Sequence, residues 1–267
     1  MDRPIGMFDS GFGGLTVARA LIDLLPSEHL VYIGDTGRYP YGPRPQEEVR
    51  EFALQLARSL VDEHHVKAVV VACNTASAAA LEQLKSELPV PVIDVVEPGA
   101  RALVAATRSG DVGVIGTVGT IGSGAYPRAV AATGAEVRLT SAACPGFVEF
   151  VERGQTSGEE VTILAERLLA PVKDAGVDTL LLGCTHYPYL ARVISEVMGP
   201  EVTLVSSADE TAFVARDLLA RAGLLRDPDA GPATHRFLSS GDISWFADLG
   251  RRLLGPELRD AGEWRHH

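Results

Sequence analysis

Short apolar runs that stop at small polar residues recur along this chain. Pro4–Asp9 is apolar until it ends on an acid followed by Ser10, and Leu30–Asp35 follows the same plan. Such runs, bounded by turn or cap residues, predict strands buried on both faces, as in a parallel sheet. The central example is Lys67–Thr75 (KAVVVACNT), an apolar run that stops at a cysteine followed by Asn and Thr. Its design returns 111 residues later in Thr179–His186 (TLLLGCTH), again apolar up to Cys and Thr. Further strands are predicted at Val90–Val96, Asp111–Thr117, Glu136–Ser141, Val202–Ser206 and Thr234–Ser239.

Between these runs the period lengthens to that of helices. They are predicted at Leu15–Leu25, stopped by Pro26, and at Gln46–His64, then from Thr75 to Leu88 and from Glu97 to Arg108. Thr120 or Ser123 caps a helix reaching Thr133, and Cys144–Glu152 opens a helical stretch at its proline. Ser157–Ala175, Pro188 to Met198, Asp209–Ala222 and Ile243–Leu254 complete the set. Gly11–Gly14 (GFGG) predicts a tight turn, and Thr36–Pro45 (TGRYPYGPRP) an irregular loop suited to cover a site. The polar tail from Pro256 is expected to fray.

Strands alternating with helices imply βαβ units and a mostly parallel sheet. Asp9 precedes Cys73 by 64 residues, and Thr117 precedes Cys184 by 67. These matched spacings predict an internal duplication: an α/β protein of two pseudo-symmetric three-layer domains, with the site in the cleft between them. The second domain is expected to span residues 97–206, with residues 1–96 and 207–267 forming the first. Open α/β sheets place ligands at the carboxyl edges of their strands, where both cysteines fall.

Composition changes this picture little. Of 267 residues, 46% are hydrophobic and 22% charged, the range of ordinary globular domains. The formal net charge is −11 and no basic run is visible, so a nucleic-acid partner is not expected. No apolar run approaches membrane-spanning length, and the opening MDRPIGMFDSG reaches Asp9 too soon for a signal peptide. A cytoplasmic protein is expected, with its three cysteines as thiols.

The chemistry then turns on those thiols. A single cysteine is most often a small buried hydrophobe, but two in matching polar frames are not so easily dismissed. Cys73 and Cys184 are both expected at strand-to-helix junctions, where the helix dipole favours thiolate. His186 is placed to partner Cys184, and Asp9 to approach Cys73. Cys144 has no matching frame and reads as structural. Small polar residues at the strand ends, Ser10-Gly11, Asn74-Thr75, Thr117 through Thr120 and Thr185, suit a small ligand with more than one carboxylate.

Several motifs are absent. Gly11–Thr16 ends in Thr where the dinucleotide fingerprint needs Gly, and no Gly-Lys-Ser/Thr phosphate loop occurs. There is no CxxC pair, and none of Lys67, Lys85 and Lys173 sits at a strand end beside a phosphate cradle as a pyridoxal lysine would. What remains is cofactor-free chemistry by two thiols. Two similar acid–base groups on opposite faces of a carbon can invert it, one removing a proton and the other delivering one.

The motifs FDSGFGGLTV (Phe8–Val17), YIGDTGRYPYG (Tyr32–Gly42), VVACNTASA (Val70–Ala78), IGTVGT (Ile115–Thr120), ACPGFVEFVE (Ala143–Glu152) and LGCTHYP (Leu182–Pro188) resemble those of the bacterial glutamate racemases. These belong to the cofactor-independent aspartate/glutamate racemase superfamily. The resemblance covers about residues 4 to 210. It implies two α/β domains around a cleft, a homodimer, glutamate as substrate, and D-glutamate for peptidoglycan as product. It implies that Cys73 deprotonates D-glutamate and Cys184 L-glutamate, supported by Asp9 and His186, with Glu152 as an auxiliary acid. Asp9, Ser10, Tyr41, Gly42, Asn74, Thr75, Thr117, Thr120, Thr185 and His186 would bind the substrate's ammonium and carboxylates. Glu149 departs from the pattern, standing where the family usually has proline. Rival readings are an aspartate or hydantoin racemase, a non-catalytic carboxylate-binding module, and a redox or metal protein.

Overall fold

The computed structural model describes residues 2–265. In chain order it runs β1 (Ile5–Asp9), α1 (Leu15–Leu24), β2 (Leu30–Gly34), α2 (Gln46–Asp62), β3 (Ala68–Val71), α3 (Asn74–Glu87) and β4 (Val92–Ile93). The alternation then repeats through α4 (Val96–Ala106), β5 (Asp111–Gly116), α5 (Val118–Gly122), α6 (Ala125–Ala132), β6 (Arg138–Ala143) and α7 (Phe147–Glu152). It continues with α8 (Glu159–Asp174), β7 (Thr179–Gly183), α9 (Ala191–Met198) and β8 (Thr203–Ser206). The chain closes with α10 (Ala208–Arg221), β9 (His235–Ser239), α11 (Ile243–Leu254) and β10 (Ala261–Glu263).

Two sheets result, in the orders β10-β9-β2-β1-β3-β4 and β6-β5-β7-β8. Every pairing is parallel. The block β2-β1-β3-β4 has the same order as β6-β5-β7-β8, which is the duplication the spacings predict. β1 sends its connections to β2 on one side and β3 on the other, and β5 does likewise to β6 and β7. Each sheet therefore has a topological switch point, between β1 and β3 in the first and between β5 and β7 in the second. Asp9 ends β1, Thr117 follows β5, and the two cysteines follow β3 and β7.

The strands are apolar because helices cover both faces. β1, β2, β3 and β7 are buried at every residue. On one face of the first sheet α1, α10 and α11 pack through Leu15, Ala212 and Phe246, and on the other α2 and α3 pack through Leu56 and Ala80. Ala100 and Leu103 of α4 join Val112, Val114 and Leu181 of the second sheet. Beneath its other face lie Leu169 and Val193 from α8 and α9. Among the described residues no helix is long and apolar enough to cross a membrane.

Four local expectations need correction. The helix expected to run on to Thr133 is split into α5 and α6 at Gly124, whose φ is 69°. Its cap is Thr117, whose hydroxyl accepts from the Thr120 N–H, rather than Thr120 or Ser123. The stretch beginning at Cys144 turns helical only at Phe147, after Pro145 and a left-handed Gly146. The segment from Pro188 is first a 3-10 turn, Tyr187–Leu190, and α-helical only from Ala191.

The tail from Pro256 is not frayed through its described part. β10 extends the first sheet beyond β9, and Trp264 is 5% exposed. Its indole Nε1 donates to Ser59 Oγ on α2 at 2.8 Å. His266 and His267 of that tail lie outside the described residues. Trp264→Ala should lower the unfolding free energy by about 3 kcal/mol, as expected for a large aromatic removed from a packed site. Urea denaturation measures this, and a loss below about 0.5 kcal/mol, the size of an exposed substitution, would contradict the packing described.

Candidate active site

Cys73 stands where the chain leaves β3 for α3. The Ala72 N–H still reaches Phe8 O at 2.9 Å, and the next residue turns out of the sheet. Cys73 is itself the N-cap: the Ala76 N–H donates to its Sγ at 3.4 Å. Asn74 and Thr75, expected just before or at the helix start, occupy its first turn instead. Ser10 Oγ lies 3.7 Å from the same sulfur. Burial, reinforced by the Asp9 carboxylate, pushes the Cys73 thiol up to about 12. The dipole was expected to favour thiolate, but taking the charge out of water costs more than the helix end returns.

Cys184 differs from the expected matching frame. The residues after it form the 3-10 turn, with the Tyr187 N–H bonded to Cys184 O at 3.0 Å, so no α-helix begins at this thiol. Pro188 lacks an N–H, which fits this irregular start. Its partner is His186, whose Nδ1 is 3.9 Å from Sγ. On the far side of the ring, Nε2 is 2.8 Å from Glu152 Oε1. Burial opposes charge on His186, but the contacts with Cys184 and Glu152 outweigh it and raise the imidazole well above its ordinary value. Burial likewise raises the Glu152 carboxyl.

The GFGG turn makes room for this arrangement. A Cβ on Gly13 would sit 2.2 Å from His186 Nδ1 and 2.5 Å from Thr185 Oγ1, closer than any side chain allows. The first domain's turn is thus pressed against the second domain's histidine, and Thr16 Oγ1 reaches Thr185 O at 3.4 Å.

Asp9 is fully buried, with Oδ2 accepting from the Gly11 N–H at 2.9 Å. That bond uses the backbone donor expected to serve a ligand anion. Burial raises the Asp9 carboxyl above its usual range while His186 pulls it down. Tyr41 Oη bonds the buried Asp35 carboxylate, which also holds Arg38 Nε at 2.6 Å and Ser240 Oγ at 2.6 Å. Its hydroxyl is therefore committed to fixing the Thr36–Pro45 loop. Thr75 Oγ1 meets Thr117 Oγ1 at 2.9 Å and Thr120 Oγ1 at 3.2 Å, a hydroxyl cluster joining α3 to α5.

One cleft, with about 580 Å³ of free space including its open mouth, is lined by Asp9, Ser10, Tyr41, Gly42, Cys73, Asn74, Thr75, Thr117, Cys184, Thr185 and His186. Thr120 and Glu152 are the two expected residues outside the lining. Thr120 stands behind the other threonines and Glu152 behind His186. Cys144, read as structural, does line the cleft, as do Val118, Val148 and Glu149. Cys144 lies in the ACPGFVEFVE motif, but it lacks the strand-end polar frame of the other two thiols. Asp9 Oδ1 and Asn74 Oδ1 are buried without a hydrogen-bond partner among the described residues, so acceptors stand ready at the cleft.

A thiol pushed up to about 12 is almost wholly protonated at neutral pH. Alkylation of Cys73 by iodoacetamide should therefore accelerate about tenfold per pH unit from 7 to 10, since only thiolate reacts. Peptide mass spectrometry reads the rate, and a plateau already reached by pH 8 would contradict the geometry.

The family described as Asp/Glu/Hydantoin racemase matches residues 14–215. A glutamate racemase of Parafrankia sp. is 59% identical over 255 residues, covering 96% of this chain and 92% of that protein. The crystal structure of a glutamate racemase isoform from Bacillus anthracis is 42% identical with a TM-score of 0.91, covering 98% of this chain and 96% of that one. The enzyme from Francisella tularensis, solved in complex with D-glutamate, is 33% identical with a TM-score of 0.91, covering 99% and 98%. The chain belongs to the Asp/Glu/hydantoin racemase family, among its glutamate racemases.

Proposed function

We propose that this protein interconverts L- and D-glutamate by two-base proton transfer between Cys73 and Cys184, without a cofactor. The observation carrying the reading is that two thiols, each following a central strand of its own sheet, line one cleft between the halves. Cys184 as thiolate takes the α-proton of L-glutamate, and Cys73 as thiol delivers a proton to the opposite face. The roles exchange for D-glutamate. The resting Cys73 thiol, held protonated by burial and Asp9, is already the form needed to turn over the L enantiomer. His186, raised by its contacts with Cys184 and Glu152, stands beside the Cys184 sulfur to exchange a proton with it, and Glu152 holds the imidazole in place.

The hydroxyls of Ser10, Thr75, Thr117 and Thr185 suit the substrate carboxylates, and Asp9 and Asn74 offer acceptors to the ammonium. Exclusion of water by the two halves would favour removal of so weakly acidic a proton. In this reading residues 1–96 with 207–267 and residues 97–206 move as two domains about the cleft. Membership of the family supports a cytoplasmic homodimer that supplies D-glutamate for peptidoglycan.

Purified protein with L-glutamate and no added cofactor should lose optical activity to zero, followed by circular dichroism, while L-aspartate under the same conditions stays unchanged. Cys73→Ser and Cys184→Ser should each abolish this. In deuterium oxide the Cys73→Ser variant should exchange the α-proton of L-glutamate only, and Cys184→Ser that of D-glutamate only. A double variant exchanging as fast as wild type would sink the two-thiol mechanism. Glu152→Gln should lower kcat/KM about tenfold. Both enantiomers must lose equally, because the equilibrium constant of racemisation is one and fixes the ratio of the two values. Unaltered kcat/KM would remove Glu152 from the account.

A further inference from the structure

Tyr126 opens α6 in the second half of the chain, and the motifs around the thiols do not include it. It is 1% exposed, with its ring among Val114 and Leu181 of the second sheet. Its hydroxyl nevertheless reaches across to the first half, where Asn74 Nδ2 donates to Tyr126 Oη at 2.6 Å. Asn74 is the residue after Cys73. The ring edge also lies against the residue before Cys184: a Cβ on Gly183 would approach Tyr126 Cε2 to 2.8 Å. One side chain thus touches the turn of each thiol.

We infer that Tyr126 is a positioning residue for substrate, holding the Asn74 amide so that Oδ1 is presented to the substrate ammonium while its ring seats the Cys184 turn. The amide has two ends and Tyr126 occupies one of them. The other, Oδ1, is buried without a partner among the described residues, in a residue that lines the cleft. An unpartnered acceptor calls for a donor, and the ammonium is the only N–H donor glutamate carries. Burial, then the Asp94 and Cys184 charges, raises the phenol above its ordinary value, so the hydroxyl stays neutral and available to Asn74. Without that bond the buried Asn74 amide would lose the partner that fixes which of its two ends faces the cleft.

This inference rests on the racemase reading for its ligand, and the test separates the two. Tyr126→Phe keeps the ring against Gly183 and removes only the hydroxyl. Isothermal titration calorimetry should show the Kd for glutamate rising about tenfold, the loss of one buried hydrogen bond's alignment. Glutarate has the same two carboxylates and no ammonium, and its Kd should stay within twofold of wild type. A merely structural role would weaken both ligands together. Equal weakening of both, or no change in either, overturns the assignment to Tyr126. Racemisation by the wild type, measured on the same preparation, judges the enzyme reading separately. Wild type that binds glutamate without racemising it would overturn that reading alone, and wild type that binds no glutamate would overturn both.

Discussion

The threonine cluster of Thr75, Thr117 and Thr120 joins the two halves of the chain beside both thiols. Each half presents one thiol at its own switch point, and nothing within a single half fixes how far it stands from the other. The distance is set by contacts between the halves: the Gly13 turn against His186, the Asn74–Tyr126 bond, and the meeting of α3 with α5. Three hydroxyls there satisfy one another at 2.9–3.2 Å. The Gly119 N–H to Gly42 O bond at 2.9 Å and the Gln46 Nε2 to Gly119 O bond at 3.1 Å extend the same seam. Short side chains allow the backbones to approach closely, and their hydroxyls remain exchangeable partners for a carboxylate. A seam of apolar residues would hold the halves together as firmly but offer nothing to a ligand.

The electrostatics follow from enclosure. Cys73, Asp9 and His186 are all buried, and each is displaced from its ordinary titration by burial in combination with its neighbours. Burial and the Asp9 carboxylate raise the Cys73 thiol, while the Cys184 sulfur faces the His186 ring at 3.9 Å. The two thiols are therefore unlike in their surroundings although alike in their strands. The duplicated topology supplies the symmetry of position, and the residues behind each sulfur supply the asymmetry of charge.

Much of this was legible in the chain itself. Strands covered on both faces leave continuous apolar runs, so β1, β3, β5 and β7 could be read with their ends within a residue or two. The matched intervals before Cys73 and Cys184 pointed to an internal duplication, and the repeated strand order of the sheets agrees with it. What could not be read depended on contacts remote in sequence. His186 and Glu152 are 34 residues apart and meet only through packing of α7 on the 3-10 turn. Tyr126 sits in an ordinary amphipathic helix, and only its reach to Asn74 marks it. The break at Gly124 was hidden because small residues on both sides suit one helix as well as two. The tail from Pro256 was misread because a three-residue edge strand carries no periodicity. The tail's anchors include the buried Leu258, Trp264 and the Glu257–Arg19 pair, the last two lying far in sequence from what they touch.

That edge strand has a consequence for how the chain comes into being. β9 and β10, the outer edge of the first sheet, are separated from β2 by the whole of the second sheet's sequence. On the ribosome β2 therefore emerges with an unpaired edge and keeps it while some 200 residues follow. The second sheet, drawn from one contiguous stretch, can close during that interval. Folding order would then run opposite to synthesis order for the two sheets, and the exposed edge of β2 is the surface a nascent-chain chaperone would be expected to meet.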